Sequence, residues 1–318
     1  MLGYDVDVAV LLVFFNRPEV LKYTFNQIKK ARPSKLLLYQ DGPRPNVTSD
    51  IQKMMECRAI VESIDWNCQV YKFYQTRNFG CDPSGFIAEK WAFSLVDKCI
   101  IIEDDIVAET TFFRFCKEML DKYENDERIS RICGMNHLGK YRERKGDYFY
   151  SGSGSVWGWA TWKRVMDSVD SSYSFLDNPE QLKTIKHNCP LFGLNYNEFI
   201  RTCEYHRASG KEHFESIHCS YRLINGCLSI IPSKNQISNI GLTEDSTHAT
   251  SNVSIIPRGL RRVFFMKSYP LSFPIIDPAL VKNDVIYANR VKRIMGKTFF
   301  VRVFRRIESF IRIKIYKG

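Results

Sequence analysis

Three consecutive acids, Glu103, Asp104 and Asp105, follow directly on the apolar run Ile100-Ile101-Ile102. Adjacent carboxylates repel, so their grouping calls for a compensating partner, and a hard divalent cation is one. A solvated acidic turn opening the next helix is the other reading, and taken alone the triplet fits both equally. Asp41, in Gln40-Asp41-Gly42, reads by itself as a turn residue, or as a hydrogen-bond acceptor for a ligand if the segment ends a strand. Asn16 and Arg17, after the apolar stretch ending at Phe15, form either an ordinary turn or a pair of groups facing a base and phosphates. Arg77-Asn78-Phe79-Gly80 reads as a glycine turn in which Arg77 is the residue best suited to meet an anion. Trp157, Gly158, Trp159 and Trp162 lie among glycines and serines. They serve either as core aromatics or as a pocket wall on which apolar ligand faces stack.

Strands and helices must alternate to bring these groups together. Val8 to Phe15 is continuously apolar, which predicts a strand buried on both faces, and Pro18 suits the first turn of a helix running to Lys30. Strands are expected at Lys35–Tyr39, Cys68–Tyr74, Cys99–Ile102 and Ile129–Gly134, with helices over Thr48–Ile64, Ser84–Val96 and Phe112–Tyr123 between them. This order predicts a doubly wound α/β fold, a mostly parallel sheet with helices on both faces. Ligands bind such sheets beyond the carboxyl ends of the strands. Asn16 and Arg17, Asp41, and Glu103 to Asp105 all end strands, so they are predicted to converge. Farther on, the stretch Ser151–Trp162 is expected to lead into a helix ending near Ser168, followed by a polar, loop-rich region to about Lys211. A helix over His213–Leu223, a strand over Cys227–Ile231 and an irregular span Asn235–Thr250 complete the reading. The boundary falls near residue 255, with a ligand-binding and catalytic domain over 1–255 and a basic extension over 256–318.

The chain carries 46 basic and 35 acidic residues, a formal charge of +11. The excess is concentrated from Arg258 onward rather than spread over a face with aromatic residues, which favours an anionic membrane surface over nucleic acid. Phe300, Val303, Phe304, Ile307, Phe310 and Ile311 recur at three- and four-residue spacing, flanked by Arg302, Arg305, Arg306, Arg312 and Lys314. That pattern is an amphipathic helix, C-terminal and basic, which docks either on such a membrane or on the domain itself. Ten cysteines at irregular spacing, without a Cys-x-x-Cys pair, point to a reduced, cytoplasmic compartment. With no basic, apolar leader and no run of about twenty apolar residues, the chain is expected to be soluble or peripheral on the inner face of a membrane.

Taken in order, the motifs resemble one known group. They are Phe15-Asn16-Arg17-Pro18, Gln40-Asp41-Gly42, Arg77-Asn78-Phe79-Gly80-Cys81, Ile102-Glu103-Asp104-Asp105, Ser155-Val156-Trp157-Gly158-Trp159-Ala160-Thr161-Trp162, and Ser238-Asn239-Ile240-Gly241 with Thr247-His248. The chain is similar, over roughly residues 7 to 250, to inverting nucleotide-diphospho-sugar glycosyltransferases of the GT-A fold. Within them it looks closest to bacterial relatives of N-acetylglucosaminyltransferase I. The resemblance implies a nucleotide-sugar donor, with Asp41 on a uracil ring, Asp104 on the ribose and Glu103 toward the donor sugar. It implies that Asp105 ligates a divalent metal, Mn2+ or Mg2+, which neutralises charge on the leaving diphosphate. It places Trp157, Gly158 and Trp159 in the sugar and acceptor pocket and His248 near phosphate. The base would be Glu215, which follows Phe214 where the family has Trp-Asp, with Glu212 as its neighbouring rival. The acceptor would be a glycan or a lipid-linked glycan. A sugar nucleotidyltransferase of the same fold is the alternative, but it begins with a Gly-rich phosphate loop that Phe14-Phe15-Asn16-Arg17-Pro18 lacks. A binding module without turnover is the non-enzymatic one.

Overall fold

The computed structural model describes residues 3, 5–143, 145–242, 261–295 and 308. Strand β1 (Val6–Phe14) is the middle of a parallel layer, and Val10, Leu11 and Leu12 are completely buried because helices cover both faces. Helix α1 (Pro18–Ala31) starts on Pro18 and turns Val20, Leu21, Phe25 and Ile28 inward. It leads to β2 (Pro33–Gln40), then α2 (Ser49–Val61), β3 (Gln69–Tyr74), α3 (Cys81–Leu95) and β4 (Lys98–Glu103). The chain continues through β5 (Ile106–Ala108), α4 (Thr110–Lys122), β6 (Ile129–Cys133), β7 (Tyr148–Ser151) and β8 (Trp159–Trp162). It then passes through α5 (Lys163–Met166), α6 (Pro179–Leu191), α7 (Tyr196–Ser209), α8 (Phe214–Asn225), β9 (Leu228–Pro232), β10 (Ile237–Asn239) and α9 (Val285–Ile294).

Eight strands form one sheet in the order β3-β2-β1-β4-β8-β6-β9-β7. The pairs β3–β2, β2–β1, β1–β4 and β6–β9 are parallel, whereas β8 lies antiparallel between β4 and β6, and β7 antiparallel to β9. Only β8 and β7 therefore run against the rest. Helix α1 packs with α2 and α4, and α3 packs with α8 and α5, so two helical layers enclose a mostly parallel sheet. From β1 the chain winds outward to β2 and β3, then returns to place β4 on the other side. The crevice between β1 and β4 is thus a switch point of the kind where α/β sheets bind ligands. Register fixes what meets there: Phe14 lies opposite Gln40 and Val13 opposite Glu103.

The second half departs from the sequence expectation in three places. Trp159–Trp162 is a strand inserted between β4 and β6, and the helix after it is one turn, not a run to Ser168. The region expected to be loop-rich holds α6 and α7. Each buries little, Ile185 and Cys189 in the first and Phe199 and Cys203 in the second, so the apolar periodicity is faint. Their N-caps are legible: Asn178 accepts from the Glu180 and Gln181 amides, and Asn195 from the Glu198 amide. In the span expected to be irregular, Ile237–Asn239 pairs antiparallel with Ile106–Ala108.

Residues 261–295 lie against the same body. Val263 and Leu271 join the main core, and α9 buries Tyr287 against Tyr141 and Phe149. The stripe from Phe300 to Ile311 lies outside the described residues. No helix among the described residues is long and apolar enough to cross a membrane.

Candidate active site at the switch point

Beyond the carboxyl ends of β1, β2 and β4 opens a cleft of about 470 Å³, lined among others by Asn16, Arg17, Asp41, Arg44, Lys53, Glu103, Asp104, Trp159 and Phe214. Its centre is an ion-paired cluster. Arg17 donates through Nη2 to Asp104 Oδ1 and, at 2.9 Å, to Asp105 Oδ2. Burial by itself would make the Arg17 guanidinium easier to deprotonate, but the charges of Asp104 and Asp105 outweigh it and hold the cation firmly. The triplet backbone is pinned from two sides, by Thr24 Oγ1 donating to the Asp104 carbonyl at 2.8 Å and by the Ile240 amide donating to the Asp105 carbonyl at 2.9 Å.

Gly241 makes that second contact workable. A Cβ at this position would stand 1.8 Å from Asp105 Oδ2, so only glycine lets the Ser238–Gly241 segment close over the acid. Asp105 is buried and its carboxyl is pushed up to about 6, first by burial and then by the Asp104 charge, with Arg17 opposing. Glu103, at the cleft wall, is driven well above the usual carboxylate range by burial and then by Asp105, Asp104 and Glu215.

Fit to a metal can be judged from Asp105. Its Oδ1 is buried and has no hydrogen-bond partner among the described residues, while Oδ2 is taken by Arg17. An orphaned buried carboxylate oxygen is costly, and a cation is one partner that satisfies it. No group of three or more His, Cys, Asp or Glu converges on a metal position among the described residues. Asp105 itself is not among the cleft-lining residues. Its orphaned oxygen is the one feature here that a Mg2+- or Mn2+-like ion, which takes as few as one or two protein carboxylates, would satisfy.

The Gln40-Asp41-Gly42 turn has a structural task. Asp41 Oδ1 accepts from the Gly42 and Phe79 amides at 2.9 and 3.0 Å, and Oδ2 from the Asn78 side chain and the Gly80 amide at 2.9 and 3.0 Å. These donors use the lone pairs a carboxylate offers, so Asp41 holds the Asn78–Gly80 loop to the end of β2. Burial nevertheless raises its carboxyl, and the amide donors only partly oppose this. Gly42 permits the crossing, since a Cβ there would sit 2.4 Å from the Arg77 backbone. The Arg77 guanidinium lies over the Phe79 ring at 4.5 Å and is exposed, and Arg77 is not among the cleft-lining residues.

Asn16 is brought to the cleft through a partner that sequence reasoning missed. Its Nδ2 donates to Asp50 Oδ1 at 2.7 Å, and Asp50 also accepts from Arg44 N, Nε and Nη2 at 3.0, 2.9 and 2.7 Å. The signal was available, because Arg44 follows Asp41-Gly42-Pro43 in the same strand-end loop. The Arg44 bonds, opposed by burial, hold the Asp50 carboxyl down to about 2. A depressed acid contributes stability above its unfolded pKa of about 3.9 and loses it as pH falls toward the folded value. Asp50→Asn should cost about 2 kcal/mol at neutral pH, the range for hydrogen bonds to a charged group. The gap to wild type, followed by unfolding midpoints, should shrink from about pH 4 to pH 2. A gap independent of pH would show that the Asp50 charge is not what matters.

The Gly-Trp segment divides between roles. Trp159 and Trp162 are buried in β8, Trp159 forming part of the cleft wall and Trp162 donating to the Leu120 carbonyl at 2.9 Å within the core. Gly158, just before β8, accepts from the Gly134 amide at 2.7 Å. Trp157 packs on Phe264 and lines a second cavity of about 270 Å³, together with Gly152–Val156, Arg131, Arg222 and Glu215. Phe214 faces the first cavity and Glu215 the second, so the first turn of α8 separates the two. Glu212 lines neither. Beneath this turn, His218 Nε2 meets Glu89 Oε2 at 2.6 Å, both buried, with Glu89 also lining the first cavity, and the imidazole lies edge-on to Trp159. His248 lies outside the described residues.

No protein-family model matches the chain, and no curated protein matches it significantly. The likeness to glycosyltransferases therefore rests on the motif residues of the sequence alone.

Proposed function

We propose that this protein is an inverting, metal-dependent glycosyltransferase of the GT-A type that uses a nucleoside-diphosphate sugar, with a glycan or lipid-linked acceptor. The observation carrying the proposal is the pair of cavities that meet at α8. One is lined by Glu103 and Asp104 of the acidic triplet with Arg17, Arg44 and Lys53, and the other holds an acid, Glu215, whose charge is felt at Glu103. A nucleotide diphosphate would be received by the basic side chains of the first cavity, with its sugar toward Glu103 and Trp159. Asp105 would hold a divalent ion, whose chemistry would be neutralisation of charge at the leaving oxygen.

Glu215 takes the proton of the acceptor hydroxyl as that oxygen bonds to the anomeric carbon. The bond from this carbon to the diphosphate breaks on the opposite side, the electron pair leaving with the diphosphate, so configuration inverts in a single displacement. The sugar nucleotidyltransferase alternative has less support, since Arg17 directly follows Asn16 with no glycine in the turn to wrap a triphosphate.

Uridine is the proposed base, on the resemblance of Gln40-Asp41-Gly42. With Asp41 filled by loop donors, the peptide groups of Asn78–Gly80 that it holds would present the reading edge. Calorimetric competition with Mn2+ present should rank uridine diphosphate above guanosine and cytidine diphosphates by at least about tenfold, or 1.4 kcal/mol. A better competitor among the other two would remove uridine from the proposal, and no binding of any nucleotide would remove the donor cleft.

A further inference from the structure

The second cavity contains a feature that proton removal by Glu215 does not require. Arg131 and Arg222 both line it, and they are 4% and 5% exposed. The Nε of each is buried without a hydrogen-bond partner. Arg222 Nη2 donates to the Gly152 carbonyl at 2.6 Å and its guanidinium faces Phe192 at 5.6 Å, while Arg131 lies over the Trp159 ring at 4.6 Å. Neither takes part in an ion pair among the described residues. Burial first, and then the charge of Arg222, push Arg131 down to about 10, so the two cations oppose one another. Lys292 adds a third positive group to the lining, and Glu215 is the one carboxylate among the described lining residues.

Buried charges are normally paired, because an unpaired one loses hydration without recompense. Here two planar guanidiniums line one open volume with no carboxylate bonded to either among the described residues, and their shape suits the oxygens of a carboxylate or phosphate. Arg131 interrupts the otherwise small or apolar strand Ile129-Ser130-Arg131-Ile132-Cys133, all of it buried.

We infer that this cavity binds an oxyanion, and that the acceptor sugar of the proposed transfer therefore carries an acidic group seated on Arg131 and Arg222. Calling the anion an acceptor rests on the glycosyltransferase reading; the anion site itself does not. The acid would anchor the acceptor on the far side of the first turn of α8 from the donor and leave its hydroxyl at Glu215.

The test follows thermal unfolding of the full chain, wild type and Arg131→Met, at fixed ionic strength with inorganic phosphate, glucose 1-phosphate, glucuronate or neutral glucose. Methionine keeps the stem and packs on Trp159 without charge. Wild type should be stabilised by anionic probes and not by glucose. Arg131→Met should bind those probes at least tenfold more weakly, yet unfold no lower than wild type in chloride alone, because an unpaired buried charge has been removed. General salting effects act on both proteins alike and cancel in the comparison. A response to glucuronate assigns a carboxylate, and a response to the phosphates alone assigns a phosphate ester. Arg222→Met repeats the test if the first variant fails to fold. Wild type unmoved by every anion, or variants that respond as wild type does, would overturn the site. Uridine diphosphate with Mn2+ is titrated alongside: both proteins should bind it equally. Its failure to bind wild type would refute the donor cleft while leaving a phosphate or glucuronate response to stand for the anion site.

Discussion

Asp105→Asn should lose most Mn2+-dependent affinity for uridine diphosphate while the chain remains folded. The substitution keeps the shape that Gly241 accommodates but removes the charge. It removes it from the one acid of the triplet whose buried oxygen, Oδ1, has no partner among the described residues. Changes in the shell around a metal ligand already cost about 10- to 100-fold in affinity, so loss of the ligating charge itself should cost roughly a hundredfold or more. The fold should tolerate it, because Arg17 keeps its bonds to Asp104 and the backbone clamps from Thr24 and Ile240 do not involve the side chain. Calorimetry with and without Mn2+ reads the effect, and circular dichroism checks the fold. Equal Mn2+-dependent binding by variant and wild type would take the metal away from Asp105.

The second large effect is expected at Glu215. Glu215→Gln should bind donor normally and transfer on the order of a hundredfold or more slowly, as for loss of an acid–base group. Its place explains the separation of effects: it opens on the second cavity beside Trp157, whereas the donor side chains line the first. Glutamine retains the side-chain length and hydrogen bonding but cannot take a proton. Single-turnover transfer measured with saturating donor isolates the step. Near-normal transfer would move the role to another acid; Glu212 lines neither cavity. Product with retained anomeric configuration would contradict the displacement itself.

Much of this site was readable from the amino-acid sequence, for one physical reason. Parallel strands under helices on both faces are continuously apolar, so Val8–Phe15 and Cys99–Ile102 stand out, and the polar groups that end them must share an edge. Arg17, Asp41 and Glu103 to Asp105 meet as that rule requires. What the sequence did not show is how each group is partnered. Asp41 looks like a free acceptor in Gln40-Asp41-Gly42, but the Gly42 amide and three donors from a loop almost forty residues away fill it. Asp50 is an unremarked helix acid until the fold sets Arg44 and Asn16 against it. In the second half, β8 and β10 are four and three residues long, too short for alternation to register. Helices α6 and α7 bury only a few residues each, and there the asparagine caps were the better signal. Arg131 was visible as a lone charge in an apolar strand, but its significance needed Arg222, ninety-one positions on, to be placed beside it.

Glycosyl transfer requires chemical turnover of a nucleotide sugar in the switch-point cleft. The most direct measurement incubates the full chain with a panel of uridine-diphosphate sugars, with Mn2+ or with a chelator, and follows release of free uridine diphosphate. At least one donor should release nucleotide in Mn2+, slowly with water and faster once an acidic saccharide is added. The chelator should suppress that release, as should Asp105→Asn. No release from any donor in Mn2+ under conditions where the nucleotide binds would contradict glycosyl transfer and leave a binding module in its place.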